Sequence, residues 1–271
     1  MSQRRSGVDA PSYDPAFVPD ERTPTVLYLE LLKRTLTRLS FEDESVPPED
    51  PERRPVAFDR ERRAEGSDWP VHAETMVGLA RLEQLQQAIE TVLAENVPGD
   101  LIETGVWRGG ASIFARGVLA AHNDTERTVW LADSFQGLPP PDPAYPADEG
   151  NTLHAVSELA VSLDEVQANF ARYGLLDEQV RFLEGWFRDT LPTAPIKTLA
   201  GLRLDGDLYE STIVALDALY PKLSPGGYVI VDDYALPMCR QAVDDFRARH
   251  RIEVPLEQVD WTGAHWRRPY A

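Results

Sequence analysis

Residues 100–121 read DLIETGVWRGGASIFARGVLAA, and this stretch decides the fold. A short apolar run, Leu101-Ile102, ends at Glu103 and a glycine turn (Gly105, Gly109, Gly110), and a helical pattern begins at once over 110–121. Glycines at a strand-to-helix turn let the backbone approach a ligand with no Cβ in the way. The first N–H groups of the helix are donors for a carboxylate or phosphate. The spacing is G-x-x-x-G-G, not the G-x-G-x-x-G of a dinucleotide fold, and an acid stands two positions before the first glycine. An acid there suits the ammonium of an amino-acid-bearing cofactor. A tight turn without a ligand is the plain structural alternative.

Working outward, apolar runs at Thr128–Ala132, Val180–Leu183, Leu199–Leu204 and Tyr228–Val231, with weaker ones near 254–259 and 264–268, alternate with helical patterns at about 162–173, 209–222 and 238–250. This alternation predicts an α/β fold: a doubly wound, mostly parallel sheet with helices on both faces. Ligands of such sheets bind outside the carboxyl ends of the strands. Upstream, Leu29, Leu32, Leu36 and Leu39 share one face of a helix over 25–39, and Met76, Leu79, Leu82, Leu85, Ile89 and Leu93 one face of a helix over 73–95. The connection 41–71 is crowded with proline and charge, so it is either functional or disordered. Residues 1–23 read as a loosely draped tail. The expected division is 1–98 for tail, helices and a lid segment, and 99–271 for the main domain.

Each later strand end carries its own residues. Asp133 closes the second strand in VWLADSFQG, where a carboxylate accepts both hydroxyls of a ribose; a helix N-cap is the alternative. Gly185 and Trp186 follow the third strand, a place that suits an adenine wall, although Trp186 reads equally as core packing. The fourth strand ends in LRLDGDLY and the fifth in VIVDDY. In a parallel sheet with these strands adjacent, Asp205, Asp207, Asp232 and Asp233 converge on one rim. Carboxylates crowded in this way repel unless a cation or protons join them. An all-oxygen set suits Mg²⁺, Mn²⁺ or Ca²⁺ more than zinc.

Composition narrows the class. Lys and Arg total 27 against 45 Asp and Glu, a formal charge of −18. That balance opposes a nucleic-acid or anionic-membrane partner and tolerates a divalent cation. Cys239 is the single cysteine, so neither a disulfide within the chain nor a thiolate cluster forms. No secretory leader and no long apolar span is visible, so the expectation is a soluble cytoplasmic protein.

The segments ETGVWRGG, VWLADSFQGLP, NFARYGLLDEQVRFLEGWFRDTLP, LRLDGDLYEST and YPKLSPGGYVIVDDY resemble the macrocin O-methyltransferase family, with similarity running from about Leu27 to Arg268. The resemblance implies a seven-stranded class I methyltransferase sheet, S-adenosylmethionine, Mg²⁺ and a homodimer or larger homo-oligomer acting on a deoxysugar hydroxyl of a small-molecule glycoside. By motif, Glu103, Gly105 and Asp133 would bind the cofactor, with Ser134, Gly185 and Trp186 beside them. Asp205, Asp232 and Asp233 would hold the metal, and Asp207 would be the general base. Catechol-type methyltransferases carry a lysine base where this chain has Leu208, which leaves Asp207 as the ionisable group before Tyr209.

A sugar hydroxyl is protonated at neutral pH, so a Lewis acid and a carboxylate base answer its poor nucleophilicity. Orientation and water exclusion supply the rest, and the lid candidates are 41–71 and GLPPPDPAYPADEG (137–150). Trp69, Tyr145, Met76 and His154 are candidates for the acceptor wall. Three other readings compete: a catechol or phenol methyltransferase, an NAD-dependent sugar oxidoreductase, and a non-catalytic binding protein. The glycine spacing weighs against the second and the four aspartates against the third.

Overall fold

The computed structural model describes residues 23–47, 50 and 52–270, so the tail expected over 1–23 lies, apart from Thr23, outside the described residues. Seven strands form one sheet in the order β3-β2-β1-β4-β5-β7-β6. They are β1 (Asp100–Thr104), β2 (Val129–Asp133), β3 (Val180–Glu184), β4 (Leu199–Leu204), β5 (Leu223–Val231), β6 (Glu257–Gln258) and β7 (Ala264–Arg267). The first five run parallel, while β7 is antiparallel to both β5 and β6. The chain leaves β1 toward β2 and β3 on one side and returns to β4 on the other, so the strand order reverses at β1. Ligand crevices open at such a point.

Central parallel strands are covered on both faces and therefore read as continuous apolar runs. Leu101, Ile102, Leu202, Leu204, Val229 and Val231 are all buried. On one face, α1 (Pro24–Leu36), α3 (Leu79–Ala94) and α4 (Gly110–Ala121) share a core built on Leu29, Leu36, Leu82, Ile89 and Phe114. On the other, α7 (Tyr209–Leu219) and α8 (Pro237–His250) pack Leu216, Leu219, Val243 and Phe246 around Trp266. The upstream helices thus bury their apolar stripes against the same sheet.

Local chemistry sets the element ends. Thr23 caps α1, its side chain accepting from Val26 N–H, with Pro24 in the first turn. The helix expected over 73–95 starts only at Leu79, because the backbone ahead of it is engaged elsewhere. Glu74 N–H donates to Leu36 O (3.1 Å), and Glu74 O accepts from Gly110 N–H (2.9 Å). Met76 therefore leaves the helical face and lines a cavity. The helix expected to 222 ends at Leu219, where Pro221 turns the chain into a short 3-10 segment.

The connection 41–71 is folded where it is described. It holds α2 (Arg60–Glu65), capped by the Asp59 carboxylate and closed by Gly66 at φ +67°. Arg63, only 1% exposed, donates to both oxygens of Asp68 (3.0 and 2.9 Å) and to the carbonyls of Thr37 (3.0 Å) and Asp43 (2.9 Å). A buried guanidinium with all these partners fixes the segment rather than loosening it. The second lid candidate is pinned as well. Asp148, in the 137–150 span, is buried and accepts from the N–H groups of Tyr209 (2.7 Å) and Glu210 (2.9 Å), capping α7 from a distant stretch of chain.

Candidate active site

Ladder bonds continue one residue past the strands and bring the functional residues side by side. Asp205 N–H donates to Thr104 O (2.9 Å), Asp232 N–H to Leu204 O (2.8 Å) and Gly105 N–H to Ala132 O (2.8 Å). Gly105 is required there twice over. Its φ is +85°, and a Cβ would lie 1.7 Å from Asp205 O, so any side chain would push β1 away from β4. A cavity of about 390 Å³ opens at this rim, lined by Glu103, Gly105, Asp133, Ser134, Trp186, Met76 and all four expected aspartates.

One oxygen from each of Asp205, Asp232 and Asp233 falls within a cluster no more than 4.8 Å across. Asp207 stands beside them in the left-handed conformation (φ +57°), which Asp tolerates better than most residues. Its N–H donates to Asp233 Oδ2 at 3.1 Å. Burial, with the charges of Asp205 and Asp232, pushes the Asp207 carboxyl up to about 7. Burial and Asp232 push Asp205 to about 6, and burial and Asp207 push Asp233 well above the usual range. Glu103 rises to about 7 through burial, against the pull of Arg203.

Two cations that the sequence reading missed sit in this cluster. Arg203, buried in β4, donates to Asp205 Oδ2 (2.6 Å), to Glu103 Oε1 and to Asp232 Oδ1. Arg81, in α3, donates to Asp232 Oδ2, Asp260 Oδ2 (2.9 Å) and Gly66 O (3.1 Å). A charged residue inside an apolar strand, LRL, was a legible signal for Arg203. Arg81 lies among ordinary helix residues and offered none. Even so, two guanidiniums face six carboxylates (Glu103, Asp205, Asp207, Asp232, Asp233 and Asp260), so the donor set fits a divalent cation. The arginines occupy one lone pair on each Asp232 oxygen and act as orienting partners for a ligand carboxylate.

The cofactor-side residues are partly engaged. Glu103 accepts from Ser112 Oγ and from Arg203, so its carboxylate anchors β4 as well as facing the cavity. Asp133 accepts from Val106 N–H and Phe135 N–H, both at 2.7 Å, and so holds the glycine turn in place. Its carboxylate borders the cavity. The start of α4 is less open than the sequence suggests, since Gly110 N–H is taken by Glu74 O. Trp186 is half-buried and lines the cavity with Trp107 and Phe187. Gly185 is absent from the lining; its N–H continues the ladder to Asp133 O (2.9 Å).

Two acceptor candidates lie elsewhere. Tyr145 packs against Tyr209, with ring centroids 6.1 Å apart, and His154 is exposed; neither lines the cavity, whereas Met76 and Trp69 do. The rest of the wall includes Leu138, Arg188, Glu210, Leu236 and Trp261, drawn from separate segments whose meeting only the tertiary fold creates.

The family described as Macrocin-O-methyltransferase (TylF) matches residues 25–268. The chain belongs to this family. It is an S-adenosylmethionine-dependent methyltransferase with the class I sheet. It is similar to the 8-demethyl-8-(2,3-dimethoxy-alpha-L-rhamnosyl)-tetracenomycin-C 4'-O-methyltransferase of Streptomyces olivaceus, at 55% identity over 90% of this chain and 94% of that one. It is also similar to the mycinamicin III 3''-O-methyltransferase of Micromonospora griseorubida, at 51% identity over 91% and 98% of the two chains. Among solved structures, the O-methyltransferase NovP superposes with a TM-score of 0.85 at 53% identity, covering 91% of this methyltransferase and all of that chain. A calicheamicin methyltransferase, CalS11, shares the fold at a TM-score of 0.58 and 20% identity, covering 98% and 99% of the chains. No helix among the described residues is long and apolar enough to cross a membrane.

Proposed function

We propose that this enzyme methylates a deoxysugar hydroxyl of a glycosylated natural product, an antibiotic-tailoring step, with Mg²⁺ held by Asp205, Asp232 and Asp233 and with Asp207 as the base. The observation that carries the reading is the carboxylate cluster: three oxygens within 4.8 Å, next to a fourth carboxyl pushed to about 7. A relative at 55% identity is named for 4'-O-methylation of an alpha-L-rhamnosyl tetracenomycin, and that supports the sugar acceptor.

When bound, the cofactor supplies an electrophilic methyl group and the cation supplies Lewis acidity beside the acceptor oxygen. The residues of the chain do the rest. Asp207 takes the hydroxyl proton, and a basicity near neutral suits it to accept that proton at working pH. Asp133, Ser134 and Trp186 hold the cofactor end of the cavity, while Glu103 and Arg203 fix the positions of Asp205 and Asp232. The folded 60–69 segment and the 137–150 span, pinned by Arg63 and Asp148, exclude water and orient the acceptor. The reaction belongs in the cytoplasm. Leu27 and Leu31, exposed on α1, offer an apolar face for the homo-oligomer.

The catechol-type reading has one observation in its favour, since Trp69, Trp186, Phe187 and Trp261 give the cavity aromatic walls. The 55% identity to a methyltransferase named for a rhamnosyl substrate outweighs it. The test is removal of metal. Chelation should abolish turnover of a demethyl glycoside, Mg²⁺ should restore it, and calorimetry should show one Mn²⁺ site per chain. Full turnover in metal-free buffer overturns the metal assignment.

A further inference from the structure

Trp261 is 56% exposed, the most exposed of the tryptophans that line the cavity, yet it is held in one place. Its Nε1–H donates to Glu65 O at 3.1 Å, and the Arg81 guanidinium lies over its ring 5.8 Å from the centroid. The next residue, Thr262, donates its hydroxyl to Asp232 O at 3.0 Å, which ties the indole to the carboxylate rim. Trp69 is fixed in a comparable way. It follows Asp68, whose carboxylate is clamped by the buried Arg63; its own carbonyl accepts from Val46 N–H at 2.7 Å, and Arg53 lies 5.5 Å from its ring centroid.

Two fixed indoles that border one cavity give it an apolar rim, and ligand pockets are lined mainly by apolar and aromatic side chains. Each ring has an arginine over one face, and each borders the cavity. Large, rigid, amphipathic rings that are already ordered grip apolar ligands at low entropic cost.

We propose that Trp69 and Trp261 form a fixed apolar subsite at the mouth of the cavity, which grips the aglycone while the sugar reaches the aspartates. The proposal rests on the glycoside reading above and names which part of that acceptor meets which wall. It also assigns the Arg63 clamp a purpose: Asp68 is held in place because the next residue, Trp69, is half of this subsite.

The test compares two rhamnosides that share the sugar and differ in the aglycone, methyl α-L-rhamnopyranoside and 4-nitrophenyl α-L-rhamnopyranoside. They are titrated calorimetrically into the protein loaded with S-adenosylhomocysteine and Mg²⁺. Wild type should favour the nitrophenyl glycoside by about ten-fold or more. Trp261→Ala should cut that preference to within about three-fold, with affinities for S-adenosylhomocysteine and the methyl glycoside held near wild type. Trp69→Ala should do the same, and Trp69→Leu replaces it if the alanine variant does not fold. Equal binding of the two glycosides by wild type, or a preference that survives both substitutions, overturns the proposal. Absence of binding by either glycoside overturns it too, and binding of 4-nitrocatechol in the same cell then shows that the glycoside reading has failed with it.

Discussion

Acidification should stabilise the metal-free protein, against the usual trend for a chain with this many carboxylates. Glu103 and Asp207 are raised to about 7 in the folded protein, whereas free carboxyls in the unfolded chain titrate near 4. Between about pH 4 and 7 the folded state therefore binds more protons than the unfolded one, and stability falls as pH rises through that window. From pH 8 to 6.5, a carboxyl titrating near 7 gains about 0.8 kcal/mol, or roughly 1.5 kcal/mol for the two. His265 acts in the opposite sense: burial lowers its affinity for a proton, and an unfolded histidine takes back at most about 0.4 kcal/mol by pH 6.5. The depressed Asp177 loses its contribution only in more acidic solution. About 1 kcal/mol or more remains, since Asp205 and Asp233 are raised as well and act in the same sense, a rise in Tm of at least roughly 2 °C for a chain of this size. Scanning calorimetry in chelator at pH 8.0, 7.25 and 6.5 reads it directly. Mg²⁺ should close the gap, raising Tm more at pH 8.0 than at 6.5, because cation and protons compete for the same carboxylates. A Tm that is flat or falling toward pH 6.5, or a Mg²⁺ increment equal at both ends, would refute the reasoning.

Asp207→Asn should lower kcat by about 10²–10⁴-fold with metal affinity retained. Asp205→Asn should weaken Mn²⁺ binding and recover activity at high Mg²⁺; recovery by Asp207→Asn instead would exchange the two roles. Asp133→Ala should weaken S-adenosylmethionine binding by roughly ten-fold to a hundred-fold. It should also cost about 1–3 kcal/mol of stability, since it strips the acceptor from Val106 and Phe135 N–H; unchanged cofactor affinity in the folded variant removes Asp133 from the site. Gly105→Ala should destabilise by about 3 kcal/mol or more, from a forbidden φ and a Cβ placed against Asp205 O. A near-wild-type denaturation midpoint for that variant contradicts the strand-end geometry described above.

Much of the site was legible because it lies at strand ends, and strand ends are written locally. The run LIETG predicts β1 and its turn, LRLDGD predicts β4 and its aspartates, and VIVDD predicts β5; a parallel sheet with these neighbours then places Asp205 beside Asp232. The chemistry of Tyr145 and His154 suggests an acceptor wall, but both stand in a loop, and loop side chains have no periodicity from which a direction can be read. The structure turns Tyr145 onto Tyr209 and leaves His154 in solvent.

The sequence by itself determined the alternating α/β architecture, the positions of the glycine turns and the identity of the acidic residues at the rim, because each rests on periodicity or on contacts a few residues apart. The tertiary structure alone decided how that acidity is balanced. Arg81 reaches Asp232 across 151 residues, and Arg203 reaches Glu103 across 100. It also decided that residues 66–69 line the cavity, since Arg63 joins the carbonyls of Thr37 and Asp43, before α2, to the Asp68 carboxylate after it. Long-range ion pairs of this kind leave no repeat in the chain, because a buried charge selects its partners by proximity in the folded core and not by spacing in sequence.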